Sequence, residues 1–214
     1  MYIKWIVCNV PVSLKDKFSF AQEKWIRTKS AKGFITQAGG WNLKDNSEAF
    51  IISFWESKDA LEDFMKNLHH KIVSENTQDK YYSSIIVDHF NSILSMDGES
   101  STLSQAINNA KLLRIADFYV QSNRIDHFEK VQKDIWKPGM KKANGMLGGS
   151  FSISVNNTNK YSISTFWDSL ENHNNYVIEI LPQLHEKADA VNDINRIIGK
   201  QILLVDSWKI INDN

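Results

Sequence analysis

The chain spells one phrase twice. "FIISFWES" occupies Phe50–Ser57 and "SISTFWDS" occupies Ser162–Ser169. Internal self-similarity of this kind decides architecture, because a unit that is repeated is usually one that cannot bury its apolar face alone. The likeness extends in both directions. "YIKWIVCNV" at Tyr2–Val10 has a counterpart in "LLRIADFYV" at Leu112–Val120, each an apolar, β-rich run of strand length. "FSFAQEKW" and "FEKVQKDIW" set Phe18 and Gln22, and then Phe128 and Gln132, at i, i+4 spacing, with Trp25 and Trp136 closing each stripe. Both read as a first helix. Gly33 and Gly145 each open a second strand, "GFITQAGGW" and "GMLGGSF", and a turn leads on to the FWES or FWDS strand.

A second helix follows, "SKDALEDFMKNLHHKI" in the first half, where Leu61, Met65 and His69 step by four along one face. Ser57 and Ser169 stand where an N-cap belongs. "SIIVDHF", ending at Phe90, and "ILLVDSW", ending at Trp208, read as the fourth strands, which sets Asp88 and Asp206 at equivalent places. Each half is thus strand, helix, strand, strand, helix, strand, the ferredoxin-like split βαβ unit. Helices cover one face of such a sheet, and a second copy is the available cover for the other. The expected fold is α+β, two tandem ferredoxin-like (βαββαβ) repeats packed sheet to sheet. The repeats are set at 1–97 and 111–214, with a linker at 98–110 that begins inside the turn-forming "MDGESS" of Met96–Ser101.

Charge and cysteine content narrow the function. The 25 basic and 25 acidic side chains cancel, so nothing global draws the chain to nucleic acid or to an anionic membrane. The opening "MYIKWIVCNVPV" reads as a strand and not as a signal peptide, and no apolar run approaches membrane-span length. A single cysteine, Cys8, on a buried strand, excludes an internal disulfide or a cysteine metal cluster and is expected to be inert. These features predict a cytoplasmic protein. No Ser-His-Asp order, HExxH or EF-hand loop is present, and "AGGW" lacks the lysine and hydroxyl of a phosphate loop.

The chain resembles the dimeric α/β-barrel superfamily, which includes antibiotic-biosynthesis monooxygenases and haem-degrading monooxygenases. Its first half, about residues 1–90, is similar to one branch of uncharacterised function. The pattern is "IKWI" in the first strand, "QEKW" in the first helix, "GF" followed by "Q" and "GGW", then "FWES", "FM" and His69, and a closing "F". The resemblance implies an intrachain barrel with a pocket between helices and sheet. The second half keeps "FWDS" and "LLVDSW" but lacks the GGW tryptophan and a histidine at the place of His69, so its site is expected to be degenerate.

On this reading His69 is the candidate catalytic residue: a neutral imidazole on the helix face toward the sheet can act as a base, orient a substrate oxygen or ligate iron. Trp5, Gln22, Gln37 and Trp41 are the candidate substrate-binding residues, aromatic walls with orienting amides. Trp55 and Trp167 recur and are assigned to packing. No metal site and no cofactor is expected.

The expected function is small-molecule binding, in its most concrete form a cofactor-independent, monooxygenase-like reaction on an aromatic substrate. Alternatives are a non-enzymatic ligand-binding or stress-associated barrel, and a haem-binding or haem-degrading protein. For haem, the resemblance sets Trp5 near the relatives' first-strand asparagine and Phe64 near a second-helix tryptophan, while His69 stands too early for their histidine. The expected partner is a small molecule, with pairing of two chains as a further option.

Overall fold

The computed structural model describes residues 1–212. By compactness the chain forms two units, one of Met1–His89 together with the chain from Ile202 onward, the other of Phe90–Gln201. In the first unit, β1 (Tyr2–Asn9) leads to α1 (Lys15–Glu23) and a 3₁₀ run at Lys24–Ser30; β2 (Phe34–Asn42) and β3 (Glu48–Trp55) form a hairpin. The second helical segment has three parts: α2 (Lys58–Phe64), a π turn at Met65–His69, and α3 (His70–Asn76). β4 (Ser84–Asp97) follows. The hydrogen-bonded order is β4–β1–β3–β2, that of a ferredoxin-like sheet.

The second unit holds the remainder of β4 and then α4 (Leu103–Asn109), β5 (Leu112–Val120) and α5 (Ile125–Val131). A π turn at Gln132–Trp136 leads to α6 (Lys137–Met140), and β6 (Met146–Ser154) and β7 (Lys160–Trp167) follow. α7 (Leu170–Glu179), α8 (Leu181–Ala188) and β8 (Ile194–Leu204) complete it. Its order is β8–β5–β7–β6. The architecture is α+β throughout, and among the described residues no helix is long and apolar enough to cross a membrane.

β4 and β8 each run across the division, so that the later part of each strand pairs within the unit it enters. Phe90–Asp97 of β4 pairs with β6, and Ile202–Leu204 of β8 pairs with β2, which also holds the short β9 (Ile210–Ile211). This corrects the sequence reading in one respect. The fourth strand of the second half begins at Ile194, and "VDSW" lies beyond its end, with Asp206–Trp208 in a 3₁₀ turn. Trp208 is fully buried with Cys8, Val10 and Phe18 of the first unit. Asp88, inside β4, and Asp206, whose carboxylate meets Lys209 at 2.7 Å, are therefore not equivalent. The apolar run "ILLV" attracted the strand assignment, while the true start, "INRIIGK", is largely solvent-exposed and carries little periodic signal.

The paired glycines and serines act as expected. Gly33 and Gly145 both adopt φ +73°, the left-handed region, where they turn the chain into β2 and β6. A Cβ on Gly145 would stand 2.2 Å from Asp168 Oδ1, and one on Gly33 would stand 2.7 Å from Ala60 Cβ. Ser57 and Ser169 are N-caps, accepting from the N–H of Ala60 and Asn172 at 3.1 Å. The repeated tryptophans are core: Trp55 and Trp167 are buried, and each donates its indole N–H at 3.0 Å to the hydroxyl two residues earlier, Ser53 or Thr165.

Candidate functional site

Strand alternation sorts the side chains of the first unit. Tyr2, Cys8 and Val10 belong to clusters with the helix residues Leu61, Phe64, Ile72 and Phe18, so the even positions of β1 face the helices. Lys4 is one of them. Its residue is 8% exposed, and its ammonium donates to the Met65 thioether at 3.5 Å. No carboxylate pairs with it among the described residues. Burial pulls its pKa down to about 8, so the group is mostly cationic at neutral pH. In the pairing register Lys4 and Gln37 both stand opposite Ser53, so one row across the sheet reads Lys4, Ser53, Gln37. The two outer members lie about 10 Å apart, two strand spacings.

His69 closes this side from the helix. It is the last residue of the π turn, and its ring packs 5.4 Å from Trp25 and 5.8 Å from Phe64. The wide turn is a local departure from the α-helix, of a kind often found at functional sites. Nδ1 is buried and makes no hydrogen bond. Burial, then the charges of Lys4 and His70, push its pKa down to about 4, so His69 is neutral at physiological pH. His89 stacks on Tyr2 at 5.7 Å, and burial followed by Lys4 lowers its pKa as well. One ammonium thus acts on two imidazoles from the floor of the same helix-covered face. His70 is exposed, as its place off the stripe implies.

The other predicted residues divide. Gln37 shares the Lys4 row, with its amide donating to the Trp208 carbonyl at 3.4 Å. Gln22 and Trp25 are tied together by Gln78, which donates to Gln22 Oε1 at 2.9 Å and accepts from Trp25 Nε1 at 2.6 Å. Gln22 Oε1 is thus part of the link that runs through Gln78 to Trp25, which packs on His69. Trp41 lies away from His69: it pairs with Ala49, about 13 Å further along β2 than Gln37, and packs on Phe18 and Trp208 under the Lys15 ammonium. Trp5, at an odd position of β1, is on the opposite face of the sheet against Phe50. These two placements correct the expectation that both tryptophans wall the His69 site. Alternation in β1 forbids Trp5 to share a face with Lys4.

Lys4 is the residue that the sequence reading missed. The signal was there: the charged residue shares its β1 face with Tyr2, Ile6 and Cys8. Cys8 itself is buried, its thiol pKa pushed up to about 12 by burial. Among the described residues no three His, Cys, Asp or Glu side chains gather as a metal-ligand set. Chemically the first unit presents a buried cation, two histidines held neutral, and aromatic walls from Trp25 and Phe64. That set suits a planar ligand bearing an anionic oxygen.

Each unit has the ferredoxin-like α+β fold, which the chain shares with solved structures of proteins named as monooxygenases. Two proteins named "putative monooxygenase", from Fusobacterium nucleatum subsp. nucleatum and Lactobacillus acidophilus, superimpose over the whole chain. The first gives a TM-score of 0.80 at 12% identity, covering 100% of this chain and 94% of that one. The second gives 0.77 at 13%, covering 99% and 96%. An anthrone oxidase-like protein gives 0.66 at 11%, covering 95% and 91%. At these identities the likeness shows fold alone. Through its first half, the chain belongs to the family of the uncharacterised protein YdbC of Bacillus subtilis, to which it is 39% identical over 89 residues, 41% of this chain and 75% of that protein. The same half, residues 2–90, matches a domain of unknown function, DUF4937.

Proposed function

We propose that the first unit binds a small aromatic molecule with an acidic hydroxyl or an acidic C–H next to a carbonyl, and holds it as the anion on Lys4. The observation that supports this reading is the Lys4 ammonium, buried and without a carboxylate partner. A charge in that position is stabilised only when a ligand brings the opposite one. Neutral His69 receives a hydrogen bond at its open nitrogen or transiently takes the substrate proton, and Gln37 lies in the same row to orient a second oxygen. The substrate anion raises the proton affinity of both Lys4 and His69, since an opposite charge favours the protonated form.

Such an anion can itself reduce oxygen. A methylene flanked by aromatic rings loses two C–H bonds, gains a C=O from O₂, and the second oxygen atom leaves as water. The monooxygenase and oxidase names among the fold relatives make this the reaction to test first. The protein's part is to bind and orient the substrate, exclude water, and keep the oxyanion beside an ammonium in a dry site.

The test is a screen of phenolic and enolic aromatics read by tryptophan fluorescence, with oxygen uptake measured on each binder and a haem titration run alongside. The expected result is an acidic aromatic whose affinity drops at least tenfold in Lys4→Met and whose oxygen uptake depends on Lys4 and His69. Binding indifferent to both substitutions refutes the reading. Saturable haem binding abolished by His69→Ala replaces it with a haem function.

A further inference from the structure

The second unit lacks a histidine at the place of His69, yet it carries an unpaired polar cluster of its own. Arg114 occupies the position in β5 that Lys4 occupies in β1: it pairs with Thr165, two residues before Trp167, as Lys4 pairs with Ser53, two residues before Trp55. Its neighbours by alternation, Leu112, Ala116 and Phe118, lie in the helix-covered core, so Arg114 is on the helix side. Among the described residues its guanidinium has no carboxylate partner and no hydrogen bond. Two further groups beside it are also unmet. Tyr176 is 2% exposed with a buried, unpartnered hydroxyl, and His173 is 3% exposed with a buried, unpartnered Nε2.

The rings fix how these groups are arranged. His173 and Tyr176 stand 6.2 Å apart on α7, and each packs 5.1 Å from Trp167. Gln201 donates its amide N–H to His173 Nδ1 at 3.1 Å, which leaves the imidazole proton on Nε2. The charge of Arg114 acts on His173, Tyr176 and also His185, whose ring meets Trp136 at 5.0 Å. A guanidinium, a phenol O–H and an imidazole N–H are all donors, and the two rings both pack on Trp167. The complement is a group that only accepts, is planar and carries a negative charge. Arg114 is half-buried as a residue, and its guanidinium is desolvated by the side chains around it.

We propose that the second unit is a carboxylate site: an aromatic or similarly planar monocarboxylate forms a two-point contact with Arg114, accepts from Tyr176 Oη and His173 Nε2, and lies against Trp167. Arginine suits this task because its planar fork matches the two oxygens of a carboxylate. The site is independent of Lys4 and stands whether or not the first unit binds an anion.

The experiment uses the full-length protein with benzoate as probe, benzamide as its uncharged counterpart and inorganic phosphate as a competing anion, followed by calorimetry. The expected result is saturable benzoate binding that benzamide and phosphate fail to reproduce. Arg114→Gln should weaken it at least thirtyfold, Arg114→Lys about tenfold through loss of the two-point contact, and Tyr176→Phe about fivefold, with melting curves showing each variant folded. Benzoate affinity retained in Arg114→Gln, matched by benzamide or phosphate, or absent from the wild type overturns the proposal. If Arg114→Gln fails to fold, Tyr176→Phe decides: unchanged affinity there also refutes it.

Discussion

Replacing Lys4 by methionine should stabilise the protein at neutral pH. An unfolded lysine keeps its proton up to about pH 10.5, whereas burial brings the folded-state pKa down to about 8. The difference of some 2.5 units corresponds to about 3 kcal/mol by which the charged form is disfavoured in the native state. The sign follows from proton counts. Below about pH 8 both states hold the proton and the full penalty is present. Between about 8 and 10.5 the unfolded chain binds more protons, so wild-type stability rises with pH. Methionine has a similar length, is flexible and carries no charge, and it would meet the Met65 thioether as one apolar group meets another. Urea unfolding should therefore show Lys4→Met more stable by about 3 kcal/mol at pH 7, with the gap closing as pH approaches 10.5. A gap that does not change with pH, or a variant less stable than wild type at pH 7, would refute the reasoning.

Two further perturbations follow from the same geometry. His173, 3% exposed with its pKa pushed down to about 4 by burial and by Arg114, is neutral in the native state while the unfolded imidazole takes up a proton from about pH 6.5. Wild-type stability should thus fall as pH drops from 6.5 toward 4, by up to about 3 kcal/mol from this group, and thermal melts of His173→Leu should show a shallower decline over that window. Gly145→Ala should cost about 1–3 kcal/mol, because φ +73° strains any L side chain and the new Cβ would meet the Asp168 carboxylate; differential scanning calorimetry reads it as a lowered Tm.

The element order of each unit was legible because every element has its own local signal: β-rich first strands, an i, i+4 stripe on the first helix, glycines at left-handed positions, serines at the N-caps. What was not legible depends on which face a residue takes. Trp5 and Lys4 are adjacent in "IKWI", and the clusters that hold Tyr2, Cys8 and Val10 against the helices show that the lysine, not the tryptophan, is on the side of His69. Gln22 on an apolar stripe reads as a candidate binding residue because its partner, Gln78, is 56 positions away. The boundary of the units was hidden for a similar reason. The sequence repeat divides near Gly98, whereas compactness divides at Phe90 and Ile202, since the later part of β4 pairs with β6 and the end of β8 pairs with β2. Where along a strand its pairing changes leaves no mark on composition.

The expectation of a degenerate second half rested on the missing GGW tryptophan and on one histidine at one helical position. His69 lies twelve residues after its N-cap Ser57, and His173 lies four after Ser169, so the imidazole has moved along the second helix while the cation has stayed. Lys4 and Arg114 share a strand position, a neighbouring hydroxyl residue and a tryptophan that donates to that hydroxyl. Both cations cost folding free energy, both lack a carboxylate partner, and each lowers the pKa of a histidine beside it. Methionine or leucine at either position would pack without that cost. Two unpaired cations kept at the same place, each beside aromatic rings and an imidazole held neutral, are accounted for if the missing negative charge is supplied by a ligand in each unit.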